Sequence, residues 1–359
     1  MSKKIKLGVV GLGHRGRYMF KLATSAFPAV EATAICDINE TLVEDVQRTY
    51  PGVQSYTDFR EMLAKSGLNT LLVETPAHCH AEFCLKARQR GLHVFSDIPS
   101  VASLQEAEAL WQVDQAAPGL FMTGANPNEW AFIEALCEFH RRGLLGKPFY
   151  LEAEYIHDCR YLWAETPWRR HNSTPIRYCT HSLGPLLRIL EEELRTVSCV
   201  SSGAKVVGEA GQNDLMTAHF QTPSGIIVRF TASFINEAGC GHHSYRVFGT
   251  EGYFERLSAR GPQKAKTLVK TTQLYGMRQL TELPIDEQRP EYVQESQQFG
   301  GHGGADYVLW KRFVTAVTEG AETAPINLKD GLRMTLPGIF AAQSAAQGGQ
   351  LVTLTYPWD

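Results

Sequence analysis

A buried-strand pattern that runs straight into G-x-G-x-x-G leaves a chain few folds to choose from. Lys4-Ile5-Lys6-Leu7-Gly8-Val9-Val10 is such a strand, and Gly11-Leu12-Gly13-His14-Arg15-Gly16 follows without a break. Helical residues then begin with Arg17, Tyr18 and Met19. Each glycine has a task in a turn of this kind. Gly11 permits the tight bend, Gly13 lets backbone approach a pyrophosphate, and Gly16 lets helix and strand pack closely. The start of the helix offers unpaired N–H groups to the phosphates, and His14, Arg15 and Gly16 of the turn are counted with the cofactor site. A second apolar run, Glu31 to Cys36, ends in Asp37. That is about 20 residues past the turn, where a carboxylate holds the ribose hydroxyls and repels the extra phosphate of NADP. These residues predict a dinucleotide site for NAD.

Strand and helix patterns alternate through the first third of the chain. Asn69–Val73, Leu92–Phe95 and Leu120–Thr123 read as buried strands with helices between them, which makes a parallel sheet covered on both faces. Ligands bind such sheets at the carboxyl ends of the strands. The segments to watch are therefore Glu74-Thr75-Pro76, Ser96-Asp97-Ile98-Pro99 and Gly124-Ala125-Asn126. From about residue 147 the texture changes. Phe149–Asp158 is a long strand, and closely spaced strand-like runs follow near 196–206, 214–221, 225–234, 244–250 and 252–257. Helical patterns return near 305–318 and 329–347, and the stretch from Pro262 to Gly304 reads as a polar loop. The expected fold is α/β: an N-terminal Rossmann dinucleotide-binding domain (1–124), then a C-terminal α+β domain (125–359) with a large, mainly antiparallel open sheet.

A net charge of −3 gives no reason to expect nucleic acid or an anionic membrane surface. No apolar run approaches the roughly 20 residues that span a bilayer. The first strand follows Met1-Ser2-Lys3 at once, so the expected compartment is the cytoplasm. The eight cysteines form no C-x-x-C pair and read as reduced thiols. His78-Cys79-His80 with Cys84, and His242-His243, match no zinc spacing, so no metal is expected.

Proton-transfer chemistry has two candidate locations in the second domain. In Phe149–Asp158 side chains alternate, which puts Tyr155 and His157 on one face. Further on, Tyr178-Cys179-Thr180-His181 leads into an apolar helix containing Pro185. Proline is tolerated in a first turn, so the helix should start near His181 or Ser182. Tyr178 and His181 then sit at a helix N-terminus, where positive potential lowers both proton affinities and suits transfer near pH 7; a structural cap with a satisfied histidine is the alternative reading. A third polar cluster, Gly300 to Asp306 with His302, again precedes a helix.

These motifs together resemble the Gfo/Idh/MocA oxidoreductase family over essentially the whole chain. The glycine turn matches, as does Thr75-Pro76 followed by His80, then Gly91-Leu92-His93-Val94 before an acid-x-Pro motif. The family's usual Glu-Lys-Pro carries a proton-shuttling lysine; here it is Asp97-Ile98-Pro99. The NAD-dependent glycoside hydrolases of family 109 also have an aliphatic residue there. Tyr155-Ile156-His157-Asp158, Trp168-Arg169, Tyr178-x-Thr180-His181 with Gly184-Pro185, and His302-Gly303-Gly304 with Asp306 are similar to that subgroup's motifs. The resemblance implies cofactor contacts at Thr75, Pro76, His80, Asp97, Pro99 and Asn126. It further implies catalytic roles for Tyr155, His157, Tyr178 and His181, and substrate contacts at Trp168, Arg169, His302 and Asp306. One departure is Ala125, where the subgroup has an acid. The implied activity is hydride transfer at carbon 3 of a sugar, as a redox-neutral glycoside hydrolysis. Alternatives are a net sugar 3-dehydrogenase or a non-catalytic NAD-binding regulator. A homodimer or homotetramer is also implied.

Overall fold

Ile5, Leu7, Val9 and Val10 are all buried, because the first strand is covered on both faces. The computed structural model describes residues 4–164, 166–167, 170, 174–209, 212–237, 242–259 and 263–359. Six strands form a parallel sheet: β1 (Ile5–Val10), β2 (Val30–Cys36), β3 (Gln54–Tyr56), β4 (Thr70–Val73), β5 (His93–Ser96) and β6 (Phe121–Thr123). Their order is β3-β2-β1-β4-β5-β6, with every pairing parallel. The order reverses between β1 and β4, which opens a crevice at their carboxyl ends. Gly11, Glu74 and Asp97 follow β1, β4 and β5 directly, and Asp37 follows β2.

The chain divides into two compact units, the first made of residues 1–126, 290–332 and 358. The return of 290–332 differs from the boundary read in the sequence, and side-chain packing explains it. From the helix Ala305–Glu319, Trp310 stacks on Phe95 at 4.6 Å and Phe313 meets the same ring edge-on at 5.5 Å. The Thr123 N–H of β6 also donates to the Ile326 carbonyl at 2.8 Å.

The second unit holds nine strands: β7 (Pro148–Ile156), β8 (Thr196–Ser201), β9 (Leu215–Gln221), β10 (Ile227–Ser233), β11 (His242–Gly249), β12 (Gly252–Leu257), β13 (Lys266–Thr271), β14 (Thr281–Leu283) and β15 (Val352–Thr353). They run β14-β13-β12-β11-β7-β10-β9-β8-β15. All neighbours are antiparallel except β7 and β10. Alternation gives β7 a buried row, Leu151, Ala153 and Tyr155. On the opposite face Glu152 pairs with Arg229 at 2.7 Å and Arg246 at 2.6 Å. The stretch read as a polar loop from 262 to 304 contains β13, β14 and a helix at Val293–Phe299. Thr267, Val269 and Thr271 are the buried side of β13, and two threonines in three made that signal weak. No helix of the described residues is long and apolar enough to cross a membrane.

Candidate active site

The glycine turn behaves as its sequence demands. Gly11 has φ +93°, and a side chain there would come within 2.6 Å of the Glu74 backbone. A Cβ on Gly16 would run into the Gly11 carbonyl, whereas one on Gly13 would meet nothing within 4 Å. Gly13 is thus the exposed rim of the turn, and Arg15 stands behind it at the start of the helix His14–Ala26. Asp37 braces the turn from below. Its Oδ2 accepts the Leu12 N–H at 2.7 Å and its Oδ1 the Asn39 N–H at 2.9 Å, leaving lone pairs on both oxygens. Three polar atoms around the crevice are buried without a hydrogen-bond partner: Glu74 Oε1, Thr75 Oγ1 and Asn126 Oδ1. An open backbone rim, a carboxylate with spare lone pairs and orphaned polar atoms fit a dinucleotide.

Asp37→Ser removes the charge and loosens the turn together. NADH affinity is expected to fall roughly ten- to a hundredfold, from about 1.5–3 kcal/mol for a charged hydrogen bond. Preference for NAD over NADP should narrow, and fluorescence titration with both cofactors measures each effect.

The remaining residues of this end hold one another. His80 is buried, with Nε2 2.6 Å from the Thr75 carbonyl and Nδ1 3.1 Å from the Asp97 carbonyl. Burial favours its neutral ring, which donates to one of the two at a time and ties the β4 and β5 loops together. Pro76 caps the short turn Ala77–Cys79, and Pro99 follows Ile98 through a cis peptide. Ile98 is buried and carries no proton, so the shuttle of Glu-Lys-Pro enzymes has no counterpart at this position.

Asp306, expected near substrate, is shut from solvent. Arg15 donates to both its oxygens at 2.7 and 2.9 Å, Asn126 Nδ2 donates at 3.1 Å, and His302 Nδ1 lies 2.9 Å away. Burial works to raise its proton affinity, but Arg15 and the His302 hydrogen bond prevail and hold the carboxyl well below its ordinary range. Its place is that of an anchor, and His302 is the most exposed member of this group. His302 has φ +47° within a run of positive-φ glycines at 300, 301, 303 and 304. The Tyr18 hydroxyl straps that run down through the Phe299 and Gly300 carbonyls, at 3.0 and 2.9 Å. Arg15 also reaches Asp97 at 3.2 Å. Beside Asp97, burial and that neighbouring carboxylate push the Glu74 carboxyl well above its ordinary range.

The second unit gathers the four residues expected to move protons. Tyr155 Oη lies 3.1 Å from His157 Nδ1, and Tyr178 Oη lies 3.0 Å from His181 Nε2. The two phenol rings stand edge to face at 5.0 Å. Phe234 closes against both, at 6.2 Å from Tyr155 and 5.8 Å from Tyr178. The helix that delivers His181 is Thr180–Leu187, starting within two residues of the expected position. Pro185 therefore lies in the second turn rather than the first. It has no N–H for the carbonyl of His181, four residues back. The Tyr245 hydroxyl of β11 donates there instead, at 2.7 Å. Tyr245→Phe strands that buried carbonyl, with an expected cost of about 1–3 kcal/mol. Urea unfolding measures it, and turnover should drop as His181 loses its fixed place.

Trp168 and Arg169 lie outside the described residues. His243, read in the sequence only as part of a histidine pair without zinc spacing, contacts the Tyr155 ring at 4.7 Å. Its signal was the alternation His243-x-Tyr245-x-Val247, which mirrors the buried row of β7. Glu74 was watched but given no role. Among the described residues no group of three or more histidine, cysteine or acidic side chains is arranged to hold a metal ion.

A glycine turn on a six-stranded parallel sheet, with a carboxylate directly after its second strand, defines an NAD-binding Rossmann fold. Residues 5–124 match the model of the oxidoreductase family with an NAD-binding Rossmann fold, and residues 133–255 match the GFO/IDH/MocA C-terminal domain. The chain belongs to the Gfo/Idh/MocA family of NAD-dependent enzymes. It is 23% identical to an alpha-N-acetylgalactosaminidase of Shewanella oneidensis, over 95% of this chain and 82% of that one. A glycosyl hydrolase family 109 protein of Solibacter usitatus is 24% identical, over 96% and 86%. In fold it is similar to a levoglucosan dehydrogenase in complex with NADH and L-sorbose (TM-score 0.81, 17% identity, 99% and 100% of the two chains). It is also similar to a myo-inositol 2-dehydrogenase from Lactobacillus plantarum (TM-score 0.79, 16% identity, 98% and 100%).

Proposed function

We propose that this chain is a redox-neutral glycoside hydrolase acting through carbon 3 of a sugar. The observation that carries the reading is the pair of tyrosine–histidine couples, Tyr155–His157 and Tyr178–His181, set ring against ring. A plain alcohol dehydrogenation moves one proton; two adjacent couples suit a reaction that moves more. The family 109 names among its relatives support the same reading.

When bound, NAD supplies the hydride acceptor at carbon 3 and returns the hydride at the end of the cycle. The protein's own residues do the proton work. Tyr178 takes the hydroxyl proton of carbon 3 and hands it to His181 as the ketone forms. That ketone acidifies the proton on carbon 2, which Tyr155 takes as its own hydroxyl proton passes to His157. The aglycone leaves carbon 1, water adds, and the proton steps run in reverse. Because cleavage passes through a ketone and an enone, it requires no paired carboxylates of the usual glycosidase kind. Thr75, Pro76, Asp97, Pro99 and Asn126 are assigned to the cofactor, and His302 with Trp168 and Arg169 to the sugar. We assign assembly to a homodimer or homotetramer, as the family resemblance implies.

A second reading, a net sugar 3-dehydrogenase, is favoured by Ala125, which is buried where the subgroup has an acid. Hydrolysis in heavy water separates the two. The hydrolase is expected to place solvent deuterium on carbon 2 of the released sugar. A keto-sugar released without aglycone loss overturns the proposal.

A further inference from the structure

His243 stands opposite Tyr155 in the β7–β11 register, and opposed residues of an antiparallel pair share a face. Behind it on that face lie Tyr245 and Val247, both fully buried, so its position at the end of the row is set by the core. The imidazole meets the Tyr155 ring at 4.7 Å and 89°, and rests against Trp130 at 5.6 Å and 83°. Its centroid is 6.3 Å from that of His157 and 6.5 Å from that of His181. Three imidazoles, from the end of β7, a helix start and β11, thus surround one phenol. His157 and His181 each pair with a tyrosine hydroxyl, whereas His243 meets Tyr155 ring against ring.

Hydrolysis through carbon 3 must handle protons at three atoms: the carbon 3 oxygen, carbon 2 and the glycosidic oxygen. The two tyrosine–histidine couples account for the first two. An enolate expels an acidic phenol unaided, but an alcohol leaves as a poor alkoxide unless it is protonated on departure. A net dehydrogenase has no such third proton to place. We propose that His243 is the general acid that protonates the departing glycosidic oxygen. The inference rests on the hydrolase reading given above.

The step balances within the cycle. The enolate electron pair forms the carbon 1–carbon 2 double bond as the carbon 1–oxygen bond breaks. The oxygen keeps that bond's electrons and takes a proton from the His243 imidazolium, so the aglycone leaves neutral. The neutral imidazole then removes a proton from the water that adds to carbon 1, and the imidazolium is restored. No external oxidant or reductant is consumed.

The test compares a 4-nitrophenyl and a methyl glycoside of one sugar in heavy water, with wild type, His243→Gln and His243→Phe. Phenylalanine preserves the ring packing on Tyr155 and Trp130 but has no proton to give. The expected loss for both variants is roughly 10²–10⁴-fold on the methyl glycoside, the usual contribution of a general acid, and much smaller on the nitrophenyl glycoside. Deuterium should still enter carbon 2 of unreacted methyl glycoside, which shows that the variants fold and complete the earlier steps. Equal losses on both substrates, exchange lost together with cleavage, or a His243→Phe variant equal to wild type on the methyl glycoside each overturn the assignment. A wild type that shows neither exchange nor aglycone release overturns the hydrolase reading itself, and is told apart because no variant is involved.

Discussion

Replacing Tyr178 with phenylalanine, or His181 with alanine, is expected to lower turnover by roughly 10²–10⁴-fold while leaving NAD affinity unchanged. Phenylalanine keeps the ring that stands 5.0 Å from Tyr155 and 4.8 Å from His181, and loses only the hydroxyl placed 3.0 Å from His181 Nε2. A loss of rate therefore reads proton transfer rather than packing. NAD affinity is a fair control because the residues assigned to the cofactor all lie in the first unit. The two positions act as one device, so the double variant should be little worse than either single one. Multiplicative losses in the double variant contradict the shared-proton role, and steady-state kinetics of the three enzymes decides.

Asp306→Ala is expected to cost up to about 3–5 kcal/mol, because a largely buried guanidinium loses two charged hydrogen bonds and keeps only Asp97. At roughly 2–4 °C per kcal/mol for a unit of this size, the Tm should fall on the order of 10 °C. Arg15 donates to both oxygens of Asp306, so without that carboxylate the glycine turn should lose support and NAD binding weaken with stability. The pH dependence has a defined sign. A carboxyl held below its ordinary range stabilises the fold fully above about pH 4, and that contribution disappears as pH falls further. Glu74 runs the other way. Burial and Asp97 raise its proton affinity, so its contribution is full below about pH 4 and is lost as pH rises. Glu74→Gln should accordingly flatten the stability profile on the neutral side, and thermal scans across pH measure both slopes.

What was legible in the sequence was local. The glycine turn, Asp37 and the ends of β4 and β5 follow from short-range rules about tight turns and strand alternation, and the structure places them around one crevice. Tyr155 with His157, and Tyr178 with His181, are two and three residues apart, so spacing alone brought each couple together. Contacts between distant segments left no such trace. Arg15 and Asp306 are 291 residues apart, and neither the anchor they form nor the return of residues 290–332 to the first unit is written in any local pattern. His243 was obscured in another way: within a His-His dipeptide that matches no zinc spacing it carries no local signal, and only its register opposite Tyr155 gives it one. Pro185 shows a different limit. Proline rules placed it in a first turn, but the Tyr245 hydroxyl supplies the missing donor and lets the proline sit one turn deeper.

The proposed cycle oxidises and reduces the cofactor within one turnover while a glycosidic bond is cut. The direct measurement is to incubate the purified protein with aryl glycosides of both anomeric types and trace NAD, following aglycone release and NADH absorbance together. Many equivalents of aglycone per NAD are expected, with no NADH accumulating. Stoichiometric NADH with no aglycone released would contradict it.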